Sequence, residues 1–550
     1  MPAEPRQTHR GGQALLADRY LNRDSAFTEA ERDRFGLRGL LPPRVLTMDE
    51  QVGLELEHAR RKSDDLERYI GLAALQDRNE TLFHRLLHDH LRELLPIVYT
   101  PTVGLACQEF SHILRRPRGV WLTPPDVDRF PELLGQGAPS PDIRLIVVTD
   151  NERILGLGDQ GAGGMAIPVG KLAIYTAAAG ISPLSILPVS LDVGTDHPVL
   201  LADPLYLGHR AARLRGPAYD DLVEAFVEAV RSTFPRAVLQ WEDFKGPNAL
   251  RLLARFRQRL PSLNDDIQGT GAVALGGLLA AERAIGVPPA RQRVLLVGAG
   301  AAGIGIARML RHATGGAIAM ALLDHDGLLH TERELAPEKA EFAIPPGGLP
   351  GALVTGGGPV ALADMIEAWR PSVLIGTTAI GGLFDEPAVR AIGRVVDRPV
   401  ILALSNPTSA CEAVPADVLD WTEGRALVAT GGPSDPVSFG GVGRAVGQAN
   451  NAFVFPGVGL GAIVAEAREI TDDMFLAAAR TLAATVSADR LAAGGLYPPV
   501  DDLPSVAHAI ACAVVREARD AGIGQMLADE EIEPAVSAAT WRPEYAPLPA

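Results

Sequence analysis

At 550 residues, with 47% hydrophobic and 21% charged side chains, the chain can bury a large core in roughly three or four domain-sized units, and wholesale disorder is excluded. A net charge of −16 and a pI near 5.3 argue against a nucleic-acid coat or an anionic membrane as partner, but not against small anions, which one buried arginine can hold. Cys107, Cys411 and Cys512 lie far apart; they make no CxxC zinc pattern and no disulfide framework, so a reducing, cytoplasmic setting is expected.

The N-terminal residues mix both charges and lack an apolar h-region, so no targeting signal is expected. Gln51–Arg68 and Arg78–Leu95 carry apolar residues at helical spacing. Pro96 and Pro101 are expected to stop helix formation there and to leave Tyr99 on a loop. Ile143–Thr149, Ile186–Leu191 and Ala237–Gln240 read as buried strands, with a helix at Tyr219–Phe234 between them. That alternation predicts a parallel sheet with helices on its faces. A second α/β block follows: strand Val294–Val297, helix Ala302–His312, then strands Ile318–Leu323, Ser372–Ile375, Val400–Leu404 and Ala426–Ala429. Pro345–Pro359, rich in Gly and Pro, reads as a surface loop. Gly447–Ala465 approaches membrane-spanning length, but Gln448, Asn450, Asn451 and Pro456 are costly in lipid, so a buried loop and helix are expected instead. Asp472–Ala484 and Ser505–Ala521 read as helices; the tail from Glu533 shows no clear period and is expected on the surface or against a neighbouring subunit.

Gly298, Gly300 and Gly303 form a GxGxxG that follows a strand and opens a helix, and the next strand ends in Asp324. This is the context of a dinucleotide loop: glycine lets the backbone approach a pyrophosphate, the helix N-terminus donates N–H groups, and the acid takes a ribose 2′-hydroxyl. A second GxGxxG, Gly156–Gly161, carries Asp159 inside it, which would repel an anion, and no clear helix opens after it. Gly457, Gly459 and Gly461 are spaced for tight helix packing.

Two acid pairs stand out. Glu242-Asp243 follows an apolar strand, and Asp265-Asp266 precedes a helix of Ala, Gly and Leu. Adjacent carboxylates in apolar surroundings repel and desolvate badly, and a divalent cation relieves both costs. Oxygen ligands without Cys or His favour Mg²⁺ or Mn²⁺. For Asp265 and Asp266 the competing reading is helix N-capping. Lys171 sits among apolar neighbours; it is either a buried amine suited to a general base or a lysine that snorkels to solvent. Tyr99 reads as a proton donor or as packing, and Arg153 as a carboxylate clamp or as a salt bridge to Asp150 or Glu152.

The blocks IVYTPTVGLACQEF, VVTDNERILGLGDQGAGGMAIPVGKLAIYTA, LQWEDF, NDDIQGTGAVALGGLLAA, VLLVGAGAAGIGIA, ALSNPTS and GQANNAFVFPGVGLG together resemble the malic enzyme family over roughly Gln51 to Ala521. The resemblance implies oxidative decarboxylation of L-malate to pyruvate, with Tyr99 as general acid and Lys171 as general base, oriented by Asp265. It implies Mn²⁺ or Mg²⁺ on Glu242, Asp243 and Asp266, and Arg153, Asn406 and Asn451 on the substrate. Cofactor contacts would come from Arg153, Asp266, Gly298, Gly300, Gly303, Asp324, Asn406 and Asn450. Asp324 favours NAD, with NADP left open by Lys339, which aligns loosely with a phosphate-binding lysine. Malolactic enzyme, which releases lactate, is the near alternative. Leu54 replaces an arginine of the animal activator site, so fumarate activation is not expected. The second glycine element, Gly376–Gly382, is looser than in many relatives. The implied fold is α/β: a helical N-terminal region (residues 1–117), a discontinuous substrate domain (118–264 and 451–521), an inserted Rossmann-type domain (265–450) and a C-terminal tail (522–550), assembled as a homodimer or homotetramer.

Overall fold

The computed structural model describes residues 11–154, 156–345 and 361–548; all but the first residue of the segment Pro345–Pro359 lies outside them. The chain divides into two compact units, Met1–Ala237 with Asp529–Ala550, and Val238–Ala528.

The first unit opens with helices. Three of them carry a side-chain start signal: Thr47 and Glu50 make a reciprocal capping box on α1 (Met48–Arg60), Asp64 caps α2 (Asp65–Arg78) and Asn79 caps α3 (Glu80–Asp89). Asp64 cuts the first long helix expected from periodicity, and the second breaks at His90, which provides no side-chain cap. Pro96 does not end the next helix but lies inside α4 (Leu91–Val98), and α5 (Thr102–Gln108) starts three residues after Tyr99, leaving a junction rather than a loop. Pro96 forfeits one backbone bond, but Leu94, Leu95, Ile97 and Val98 are all buried and hold the turn. Three parallel strands follow: β1 (Val120–Leu122) and β2 (Leu145–Thr149) flank β3 (Ile186–Leu191). Helices α6 (Ala166–Ala179) and α7 (Gly216–Thr233) accompany these strands.

The C-terminal tail is not irregular. Asp529–Ala539 is a helix whose Ile532 and Val536 are fully buried. Beyond it Trp541 N–H donates to the Gly180 carbonyl at 2.6 Å, and the Tyr545 hydroxyl bonds Asn79 and Gln51 at 2.8 and 3.0 Å. The tail packs on the helices of its own unit. Two apolar residues flanking Pro534 are too short a pattern to read as a helix.

Under the tail lies a buried ionic network. Arg118 bonds Glu80 through Nη1 at 3.0 Å and Asp77 through Nη2 at 3.2 Å, and Glu80 also meets His84 at 3.3 Å. Burial alone would raise the Glu80 carboxyl, but the Arg118 guanidinium and the His84 and Gln76 bonds outweigh it and hold it at about 2. Burial pushes the His84 imidazole down despite its bond to Glu80. Unfolded, these groups titrate near about 4.3 and 6.5. Both folded values are depressed, so the unfolded chain binds more protons in acid. Stability is full above about pH 6.5, declines below it as the unfolded imidazole protonates, and declines again between about pH 4.3 and 2. Thermal melts are expected to show a falling midpoint over that range, with the first part of the decline missing in His84→Asn.

The second unit holds a parallel pair, β4 (Val238–Trp241) beside β5 (Ser262–Asn264), and a seven-stranded sheet of order β14-β11-β10-β9-β6-β7-β8. Its strands are β6 (Arg293–Val297), β7 (Ala319–Asp324), β8 (Gly327–Leu328), β9 (Val373–Gly376), β10 (Val400–Ala403), β11 (Leu427–Thr430) and β14 (Gly447–Gln448); only β8 pairs antiparallel, while β12 (Val437–Phe439) and β13 (Val442–Arg444) form a separate hairpin. The chain leaves β6 for β7 on one side and later returns to β9 on the other, the topological switch point where doubly wound sheets bind ligands. Helices α8 (Thr270–Ile285) and α9 (Ala301–Ala313) pack closely, because a Cβ on Gly271 would lie 2.9 Å from the Gly305 carbonyl. The glycines of α10 (Phe455–Val464) serve packing as expected: Cβ atoms on Gly457 and Gly461 would meet Ile510 and Val514 of α11 (Leu503–Asp520) at 2.6 and 2.7 Å. Among the described residues no helix is long and apolar enough to cross a membrane.

Candidate active site

In the first unit Lys171 lies mid-way along α6 and is 1% exposed, so it does not snorkel to solvent. Its Nζ is 5.3 Å from the centroid of the Tyr99 ring, and Tyr99 is itself buried at the end of α4. Gly170 permits this approach, since a Cβ there would stand 2.7 Å from the Val98 carbonyl and 3.3 Å from Tyr99 Cδ2. The structure thus brings together two groups that are 72 positions apart in sequence. Arg153 is exposed and makes no ion pair among the described residues. The acids beside it are occupied elsewhere: Asp150 accepts from the Tyr219 hydroxyl at 2.6 Å, and Glu152 pairs with Arg215 at 3.0 Å.

The Gly156–Gly161 loop is held from within. Arg213 clasps Asp159 with two bonds, Nη2 to Oδ1 at 2.7 Å and Nε to Oδ2 at 3.1 Å. Contrary to the sequence expectation, helix does follow this loop: a 3₁₀ turn, Gly161–Met165, runs straight into α6. Because the turn consists mostly of glycine, no apolar period announces it.

In the second unit the parallel register sets Trp241 opposite Asn264, so the acid pairs that follow β4 and β5 emerge at the same sheet end. Carboxylate oxygens of Glu242, Asp243 and Asp266 all lie within 4.8 Å of one another. Glu242 Oε2 accepts from Gln240 Nε2 at 2.7 Å, and Asp266 Oδ2 accepts from the Asp243 N–H at 2.8 Å. Asp243 adopts φ 55°, a conformation aspartate tolerates and one that often marks functional sites. The capping explanation for Asp265 and Asp266 fails, because Asn264 Oδ1 takes the Ile267 N–H at 3.1 Å instead. Asp265–Gly269 forms a wide π-turn, a local geometry frequent at functional sites. Asp265 Oδ2 accepts from Asn451 Nδ2 at 3.1 Å. Three hard oxygen donors with no sulfur or imidazole fit Mg²⁺ or Mn²⁺. The other acidic cluster, Asp324, His325 and Asp326, faces outward around an aspartate already paired with cations.

At the switch point Gly298 has φ 111°, and a Cβ on it would lie 2.6 Å from the Thr377 carbonyl; the Thr377 hydroxyl donates to Gly298 O at 2.9 Å. The looser second glycine element therefore braces the first. Gly300 precedes α9 with open space around it, and a Cβ on Gly303 would collide with the Gly298 carbonyl. Asp324, at the end of β7, is held by Arg333 at 2.9 Å and Lys339 at 2.7 Å. Burial alone would raise its carboxyl, and these two cations bring it below the ordinary value. Past β10, Asn406 Oδ1 is buried without a hydrogen-bond partner among the described residues. Asn450 Oδ1 caps the Ala452 N–H at 2.9 Å.

One positioning residue is silent in the sequence. Glu412, fully buried, accepts from the Thr378 N–H (2.7 Å) and hydroxyl (2.9 Å) and from the Ser405 hydroxyl (2.6 Å), tying the second glycine element to the SNPT turn. A lone Glu in CEAVP carries no spacing signal.

Two family models match, "Malic enzyme, N-terminal domain" over residues 76–257 and "Malic enzyme, NAD binding domain" over residues 267–519. "NAD-dependent malic enzyme 3" of Bacillus subtilis (strain 168) is 45% identical over 556 residues, covering 98% of this chain and 97% of the relative. The chain belongs to the malic enzyme family. "NAD-dependent malic enzyme" of Aeromonas salmonicida (strain A449) is likewise 45% identical, over 97% of this chain and 96% of its own length. Solved malic enzymes share the fold: that of Entamoeba histolytica matches with a TM-score of 0.57 at 21% identity over 92% of this chain and 91% of its own, and that of Pyrococcus horikoshii with 0.55 at 24% over 82% and 89%. As a member of the malic enzyme family the chain is an enzyme, and the crevice at the ends of β6 and β9 falls within its NAD-binding-domain match.

Proposed function

We propose that the chain oxidatively decarboxylates L-malate to pyruvate and CO₂ with NAD as acceptor and Mn²⁺ or Mg²⁺ as essential cation. The observation that carries this reading is the convergence of the Glu242, Asp243 and Asp266 oxygens within 4.8 Å. A plain hydroxy-acid dehydrogenase needs no such trio, whereas decarboxylation needs an electron sink beside the new carbonyl. When bound, the cation would polarise the C2 oxygen and NAD would accept the C2 hydride. Lys171, kept from bulk water, takes the hydroxyl proton; Tyr99 returns a proton to C3 after CO₂ leaves. Asp265 orients Lys171 in this reading, and Arg153, Asn406 and Asn451 hold the substrate. Asn406 offers an acceptor that no described residue satisfies, as a ligand-binding amide would.

NAD is preferred because Asp324 accepts the ribose 2′-hydroxyl and because Lys339 is already spent on Asp324, which leaves it poorly placed to receive a 2′-phosphate. The names of the 45%-identical relatives agree with that choice. Gly298, Gly300, Gly303, Asp266, Asn450 and Arg153 complete the cofactor contacts. The division into N-terminal, discontinuous substrate and inserted NAD-binding domains, the homodimer or homotetramer, and the cytoplasmic setting belong to the same proposal.

The test is absorbance at 340 nm with L-malate and Mn²⁺, NAD and NADP supplied separately, and pyruvate and lactate assayed at the end. NADH rising in step with pyruvate is expected; lactate at flat absorbance would make the chain a malolactic enzyme instead. Gly298→Val is expected to weaken NAD binding at least tenfold in calorimetry, since a side chain there meets both a positive φ and the Thr377 backbone.

A further inference from the structure

Behind the acid and base, inside the first unit, is a cavity of about 110 Å³. Ile70, Leu72, Phe83, Phe110, Ile113 and Trp121 give it an apolar body. Its lining also includes Arg115, Arg116, Arg118 and Tyr69. Arg118 is spent on Glu80 and Asp77. Arg116 gives one bond to the Asp77 carbonyl at 3.2 Å, and Arg115 has no ion pair among the described residues. Two exposed guanidinium groups thus stand beside an apolar hole in a chain whose net charge is −16. A guanidinium recognises a carboxylate through two parallel hydrogen bonds, and apolar voids of roughly 100–150 Å³ stay dry and take small apolar guests.

The remaining wall gives the cavity its significance. Val98 and Gly170 both line it, and they are the immediate neighbours of Tyr99 and Lys171. They also touch each other, since the Gly170 Cα faces the Val98 carbonyl. A guest would press on the contact that sets the acid beside the base.

We propose that this cavity is an effector site for a small monocarboxylate with an apolar, ring-sized body, its carboxylate held by Arg115 and Arg116, and that occupancy supports the α4–α6 contact and raises turnover. The regulatory half rests on the roles proposed for Tyr99 and Lys171; the binding half does not.

The full-length protein would be titrated with benzoate and with its neutral counterpart benzyl alcohol by calorimetry. Saturable benzoate binding is expected, at least tenfold tighter than benzyl alcohol. The Arg115→Gln/Arg116→Gln double variant should lose at least tenfold in benzoate affinity with an unchanged melting midpoint, and Ala73→Leu should lose it by filling the hole. Hydrogen exchange should show benzoate raising protection over residues 91–108 and 166–179, and malate turnover should rise at least twofold in wild type and not in the double variant. The absence of benzoate binding, equal binding in the double variant, or a hole closed by a second copy of the chain would overturn the site. Binding without altered exchange would overturn the coupling. Because binding and exchange are read without malate, failure of the malate reaction alone would count against the proposed function and not against this site.

Discussion

Lys171→Ala is expected to lower malate turnover by roughly 10²- to 10⁴-fold, the usual cost of removing a general base, while NAD affinity stays within a factor of about two. The physical reason is the position of the amine. Lys171 is 1% exposed, with Nζ 5.3 Å from the Tyr99 ring centroid, so bulk water cannot easily take over its proton. Removing the side chain leaves a slot about the length of an alkylamine. Added methylamine should therefore recover part of the lost rate, and the recovery should follow the free-amine fraction as pH rises. A merely structural lysine would show a lower melting midpoint and no amine rescue. Retention of activity within about threefold, or rescue by neutral solutes of equal size, would remove Lys171 from the mechanism.

Glu242→Gln and Asp266→Asn are expected to abolish Mn²⁺-dependent turnover and, independently, the stabilisation that Mn²⁺ confers. In the wild-type chain three carboxylates share a space of 4.8 Å. Only the folded chain gathers them, so Mn²⁺ at about a hundredfold excess over its Kd should add about 2.7 kcal/mol of stability. Each variant removes one charge but keeps an oxygen able to accept the existing bond, from Gln240 to Glu242 or from the Asp243 N–H to Asp266. The metal-free variants should thus melt at or above the metal-free wild type, and Mn²⁺ should barely shift them. Calorimetric melts with and without Mn²⁺ decide this without any assay of malate. A full Mn²⁺ shift in both variants would place the cation elsewhere.

Much of this site is legible in the chain itself. The strand, glycine turn and helix around Gly298 form where expected, because a β-branched and leucine run followed by glycines admits few other conformations. The caps at Thr47, Asp64 and Asn79 are equally local, although helix periodicity runs through the break at Asp64. Pro96 misleads for the opposite reason: its local cost is real but is outweighed by the burial of α4.

Sequence alone determined most of the element types, the glycine turn before α9 and which residue types could do acid, base and metal chemistry, since these depend on short-range sterics and on side-chain identity. It left Lys171 between a buried base and a snorkelling cation, and Asp266 between a metal ligand and a helix cap. Tertiary structure removed the snorkelling reading of the one and the capping reading of the other. Packing of α6 removes Lys171 from water, and Asn264 takes the capping bond while the β4–β5 register gathers the carboxylates. It also supplied Glu412 and the tail's place on its own unit. These facts depend on residues far apart in the chain meeting at close range, and burial and register exist only after the chain has closed on itself.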